Sequence, residues 1–254
     1  MRQGENGAVG GAPAKVGAES MRSLLLVPGA DAVKLAEALA SEADALVVDL
    51  AGAVDARAAA PFLAEARRRA PRPRLYVRVN PLDSGRVDAD LDAVMPEAPD
   101  GVALPRCLDG ASAQRLAAKL AVREAEYGLP DGATRILAFA GESARGLFGF
   151  ATYRGCSARL EGLAWGAQAL AADLGAERAR LPDGAWTAAF VLARTLTLLG
   201  AAAAEVDAID AAFVDFDDRE SLRAEALAAR RDGFVAKLAI HASQVVIINQ
   251  VFAR

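Results

Sequence analysis

The chain has 254 residues, with 29 lysines and arginines against 33 aspartates and glutamates, so its formal net charge is −4. At 54% hydrophobic residues it is too apolar for a disordered chain, and its mild acidity gives no field for nucleic acid, whose binders show a basic patch or stripe. Two cysteines, Cys107 and Cys156, cannot build a disulfide framework, and no apolar run approaches the roughly 20 residues of a membrane span. Residues 1–20 hold no apolar block and read as a flexible tail rather than a signal peptide. The remainder, 21–254, is expected to be one domain, with the cytoplasm as the default location and no membrane partner.

From Met21 onward, short apolar runs alternate with amphipathic helical patterns. Ser23–Val27 predicts a strand, followed by a helix from about Asp31. Ala45–Asp49 is the second strand, with a helix over Asp55–Arg69. Arg74–Val79 is the third, ended by Asn80-Pro81, with a helix over Val87–Met95. Gly101–Leu104 is the fourth, stopped by Pro105, and a long helix over Gly110–Tyr127 follows. Arg135–Ala140 is the fifth, with a helix starting near Glu142. Leu160–Trp165 is the sixth, with its long helix over Thr187–Ala204. Val206–Asp210 and Ala236–Ile240 complete the strands, and their helices fall over Asp218–Arg231 and Ser243–Val251. This alternation implies a parallel sheet covered by helices. No Gly-x-Gly-x-x-Gly turn supports a dinucleotide fold, and a closed (β/α)8 barrel is expected.

A barrel of this kind carries its chemistry at the carboxyl ends of its strands. Arg78 lies inside an apolar strand. It either points into the mouth, where a guanidinium could grip a carboxylate or carbonyl oxygen, or pairs structurally. Glu142 follows strand five, where a carboxylate is either functional or a first-turn acid favoured by a helix N-terminus. Trp165-Gly166-Ala167 closes strand six, so N–H groups from Gly166 to Gln168 either hold an anionic oxygen or form a plain turn. His241 is the single histidine, which rules out zinc sites of two or three histidines and leaves oxygen ligands for any metal. His241 reads as a satisfied structural residue, Gln244 as a cap or supporting amide, and Lys237 as lying at the wrong end of its strand for Schiff-base chemistry. The cysteines read as core or loop residues.

Taken in order, these motifs resemble the citrate lyase beta-subunit-like branch of the HpcH/HpaI aldolase family. The carrying residues are Arg22-Ser23-Leu24-Leu25-Leu26-Val27-Pro28-Gly29, Asp49-Leu50 with Ala53-Val54, Tyr76-Val77-Arg78-Val79-Asn80-Pro81-Leu82-Asp83 and Leu104-Pro105. They continue with Glu142-Ser143-Ala144, Trp165-Gly166-Ala167 with Leu170, Asp173-Leu174-Gly175, and Lys237-Leu238-Ala239-Ile240-His241 with Gln244. The resemblance implies a (β/α)8 barrel that makes or breaks a C–C bond beside a carbonyl in substrates such as citryl-CoA and malyl-CoA. It implies CoA thioesters as substrates rather than cofactors, and assembly into homo-oligomers, usually trimers or hexamers. It implies Mg2+ held by a Glu after strand five and an Asp after strand six, acting as a Lewis acid on the oxo or hydroxy acid. On these positions Arg78 and Glu142 are the catalytic and substrate-binding pair, Glu142 is the metal carboxylate, and Gly166, Ala167 and Gln168 hold the substrate carboxylate.

Three acids of the pattern are missing. The usual Asp-Leu-Glu-Asp-Ala-Val reads Asp49-Leu50-Ala51-Gly52-Ala53-Val54, and the second metal carboxylate position is Ala169. The usual Lys after Leu-Pro is Arg106, and the usual Pro after His241 is Ala242. Asp173, one helical turn past Ala169, is expected not to substitute. The chain ends at Arg254, without the C-terminal helical extension usual in the family. Two expectations therefore stand side by side. One is a Mg2+-dependent CoA-ester lyase. The other is a catalytically impaired homologue that binds an acyl-CoA or organic acid, or serves as a partner subunit.

Overall fold

Eight strands close into a parallel barrel in chain order, with β8 hydrogen-bonded to β1. The computed structural model describes residues 21–52 and 55–253; the tail expected over 1–20, and Ala53 and Val54 of the second motif, lie outside them. The strands are β1 (Ser23–Pro28), β2 (Ala45–Asp49), β3 (Arg74–Arg78), β4 (Gly101–Leu104), β5 (Arg135–Gly141), β6 (Leu160–Trp165), β7 (Asp207–Asp210) and β8 (Ala236–Ala239). The helices are α1 (Ala32–Ala40), α2 (Ala60–Arg67), α3 (Val87–Val94), α4 (Gly110–Glu126), α5 (Ala144–Phe148), α6 (Ala167–Leu174), α7 (Ala188–Ala204), α8 (Arg219–Asp232) and α9 (Ala242–Val251).

Local chemistry sets the helix starts. Asp31, Asp109, Ser143 and Asp218 accept backbone N–H groups from the first turns of α1, α4, α5 and α8. The helix expected over Asp55–Arg69 is broken. A 3-10 turn over Ala56–Ala58 precedes α2, whose second residue is Pro61, which offers no N–H to continue an earlier helix. The helix expected near Glu142 begins at Ala144, so Glu142 sits in the turn before the cap and is not a first-turn acid. The return from β6 holds two helices, α6 and then α7.

Strand alternation divides the apolar residues into two layers. Leu24, Ala45, Val47, Tyr76, Ala103, Leu137, Phe139, Ala164, Ile209, Ala236 and Leu238 fill the barrel interior. Leu25, Leu46, Val48, Val77, Val102, Ile136, Leu163 and Ala239 face the helices. Each fully buried Leu or Val contributes about 1.5–3 kcal/mol. The same alternation decides which strand-end side chains reach the mouth.

Candidate functional site

Asp49 and Arg78 end adjacent strands and are register partners. Both continue the interior-facing series set by Val47 and Tyr76, so both side chains enter the barrel mouth. Arg78 Nη1 donates to both carboxylate oxygens of Asp49, each at 3.1 Å, and Nη2 donates to Glu142 Oε1 at 3.0 Å. The guanidinium carbon lies 5.3 Å from the Phe139 ring centre, which props it from below. Both readings of Arg78 therefore hold at once: it points into the mouth, and it is paired. Burial pulls its pKa down, but the charges of Glu142 and Asp49 outweigh burial and the net shift is upward. Its Nε is buried without a partner, and a buried donor in that state costs about 1–3 kcal/mol.

Glu142 is 4% exposed. Its second oxygen accepts the backbone N–H of Arg106 at 2.8 Å. Arg106 adopts a left-handed φ of 48°, uncommon for a residue with a side chain. Gly166 packs directly on Glu142: a Cβ there would lie 3.1 Å from Glu142 Cγ and 3.2 Å from Oε1. A side chain at 166 would press on the Glu142 carboxylate, which would have to give by a few tenths of an ångström. Gly166 also caps α6 with no side-chain acceptor, so the helix start at Ala167 and Gln168 adjoins Glu142.

The implied magnesium site fails on its donor set. Magnesium asks for near-octahedral oxygen ligands, of which the protein usually supplies one or two free carboxylates, with waters and substrate oxygens as the rest. Of the implied pair only Glu142 is present; a guanidinium nitrogen sits 3.0 Å from one of its oxygens and an amide 2.8 Å from the other. Ala169 presents a methyl group. Asp173 is spent elsewhere, accepting Arg106 Nη2 at 3.2 Å and the Ala144 N–H at 2.8 Å. In the loop after β2, Ala51 N–H bonds to Asp49 Oδ1 at 2.9 Å and Gly52 N–H to Asn80 Oδ1 at 3.2 Å. Among the described residues no group of three or more His, Cys, Asp or Glu side chains could hold a metal ion. The residues present do not fit magnesium.

The remaining strand-end candidates are structural. His241 caps α9, its Nδ1 contacts Ser243 Oγ at 2.8 Å, and its ring stacks on Phe216 with centres 4.8 Å apart. Gln244 completes a capping box and donates to the Phe213 carbonyl at 2.7 Å. Burial pushes the Cys107 thiol up to about 12 and raises that of Cys156, so neither is poised as a nucleophile. Lys237 alternates away from the barrel interior. Its Nζ donates to Asp210 Oδ2 at 2.9 Å, to the Ala211 carbonyl at 2.6 Å and to Glu225 Oε1 at 2.9 Å. Trp165 Nε1 and Arg194 Nε complete the shell of Asp210 at 2.9 and 3.2 Å. Sequence reasoning missed this buried cluster, and it missed Asp49 as the partner of Arg78. Equal position at the ends of consecutive parallel strands was the available signal for the second.

Beside Asp49, a cavity of about 540 Å3 opens between the ends of β1, β2 and β8 and the start of α1; Pro28, Lys34, Ala51, Phe216 and His241 line it. Leu104 and Pro105 at the end of β4 and Ser143 before α5 line a second cavity.

A family model described as HpcH/HpaI aldolase/citrate lyase matches residues 22–242. A citrate lyase subunit beta-like protein from Deinococcus radiodurans is 33% identical over 91% of this chain and 80% of its own length. A (3S)-malyl-CoA thioesterase from Cereibacter sphaeroides is 33% identical over 93% of this chain and 78% of its own. The structure of the protein CitE from Mycobacterium tuberculosis in complex with magnesium, acetoacetate and coenzyme A superimposes with a TM-score of 0.72, at 28% identity over 91% of this chain and 80% of that one.

Proposed function

Because this chain belongs to the HpcH/HpaI aldolase/citrate lyase family, we propose that it is a magnesium-free binding homologue of the lyases, holding an acyl-CoA at the barrel mouth without cleaving a carbon–carbon bond. One observation carries this reading: Glu142 is committed to Arg78 and Arg106, while position 169, where the second metal carboxylate is expected, is alanine. Charge favours the thioester over a free acid. Two carboxylates surround one guanidinium, so the ionised cluster is net negative and repels a dicarboxylate more than a neutral thioester carbonyl. The uncapped N–H groups at Ala167 and Gln168 would hold a carboxylate at the far end of the acyl group. The cavity beside Asp49 supplies an apolar wall and Lys34 for the rest of the ligand.

The test is acetyl-CoA and malyl-CoA binding by calorimetry, in EDTA and in magnesium, with release of oxo acid and of free CoA followed in parallel. Equal affinity in both buffers, with neither product formed, is the expected result. Magnesium-dependent release of oxo acid would restore the lyase reading, and release of CoA alone would assign a thioesterase.

We infer further that the chain assembles with copies of itself. The exposed positions of α7 include Val191, Leu192 and Leu199 and no charged residue. Light scattering is expected to show an oligomer that Leu192→Glu with Leu199→Glu dissociates; a native monomer would contradict this.

A further inference from the structure

The ends of β4 and β5 carry a cavity of about 300 Å3 that shares no lining residue with the one beside Asp49. Three guanidinium groups line it: Arg106 from the turn after β4, Arg115 from α4 and Arg145 from α5. Their charges are not equally matched. Arg106 is held by Asp173. Arg115 donates only to Ser112 Oγ, at 3.3 Å, and Arg145 makes no ion pair or hydrogen bond among the described residues. The acid that both arginines feel is Asp109, whose carboxyl lies below its ordinary range chiefly through hydrogen bonds to Ser112, with the two arginines adding to them. Asp109 is itself occupied in capping α4. Two carboxylates, Asp83 and the Arg106-bound Asp173, also line the cavity.

We propose that this cavity binds a dianionic phosphate group, free or as a monoester, between Arg115 and Arg145. Two guanidinium groups without carboxylate partners call for about two negative charges, which phosphate supplies near neutral pH and a single carboxylate does not. The planar donor forks match phosphate oxygens in pairs. Asp83 would accept from a hydroxyl of the ester or from a protonated phosphate oxygen. Arg106 ties the cavity to the centre, because its side chain lines the wall while its backbone N–H holds Glu142. The proposal does not depend on what the central cluster binds.

The experiment is calorimetric titration of the full chain with inorganic phosphate and with glycerol 3-phosphate at fixed ionic strength. One phosphate per chain is expected, in the millimolar range. The double substitution Arg115→Ala, Arg145→Ala should weaken it about tenfold, and Arg145→Gln alone severalfold. Both side chains are exposed, so thermal melting should match the native chain. Arg231→Ala, on the exposed end of α8, should change nothing. Equal affinity for ion and ester identifies the free ion as sufficient, whereas a tighter ester identifies a phosphorylated small molecule; either upholds the site. No binding to the native chain, or unchanged binding in the double variant, overturns it. So does binding that Arg78→Met abolishes and the double variant leaves intact.

Discussion

Two clusters of buried charge are built on the barrel strands, and they differ in how completely they are satisfied. On the β7–β8 side, Lys237 has three acceptors for its three protons, and Asp210 takes donors from Lys237, Trp165 and Arg194. This cluster faces outward, between barrel and helices, and closes through Glu225 onto Arg180 at 2.5 Å. On the β2–β3–β5 side, Asp49, Arg78 and Glu142 face the mouth, and Arg78 keeps one buried donor without a partner. A saturated cluster is scaffold. An unsaturated one beside a cavity has capacity left for a ligand.

The difference can be broken from the scaffold side first. Lys237→Met leaves buried Asp210 with Arg194 as its remaining cation among the described residues, and truncating one partner of such a pair costs about 3 kcal/mol. Urea denaturation should show that loss, while acyl-CoA affinity per folded molecule stays unchanged. The acid limb should follow the same cluster. Burial alone would raise the Asp210 pKa, but Lys237 and Arg194 reverse it, so the folded value lies below the unfolded one. Its contribution is therefore complete above an unfolded value of about 3.9 and is lost as pH falls through the folded value. Thermal melts from pH 7 to pH 2 should fall on that limb, and Asp210→Asn should flatten it. Arg78→Met has the smaller structural effect, about 2 kcal/mol, because Glu142 keeps the Arg106 N–H and Asp49 is partly exposed. Its signature is functional: acyl-CoA affinity should drop at least about tenfold. A variant that loses stability but keeps affinity would make both clusters scaffold.

The barrel was legible because each strand is a short apolar run bounded by turn residues, and β2, β4 and β6 fall at the expected limits. The break before α2 was less so, because the helical pattern runs on from Asp55 to Arg69 across Pro61, while the helix itself starts only at Ala60. In the site, Arg78 and Glu142 stood out as charges at the ends of apolar strands. Their pairing did not, since 64 residues separate them in the chain. Arg106 and Asp173 are 67 residues apart, and nothing local shows that Arg106 turns left-handed. Lys237 was placed correctly on its strand, but its partners on α8 and at the end of β7 depend on strand parity and helix packing together.

A mouth built on Glu142, Arg78 and Ala169 is expected to take no metal. Calorimetric titration of the native chain with Mg2+ and Mn2+, with and without oxaloacetate, tests it most directly. Ala169→Asp with Ala51→Glu serves as the gain-of-binding control. Gly52 is left intact because its φ of 97° would strain any side chain. No saturable binding by the native chain is expected, and measurable binding once the carboxylates return. Micromolar binding by the native chain, tightened by oxaloacetate, would contradict it.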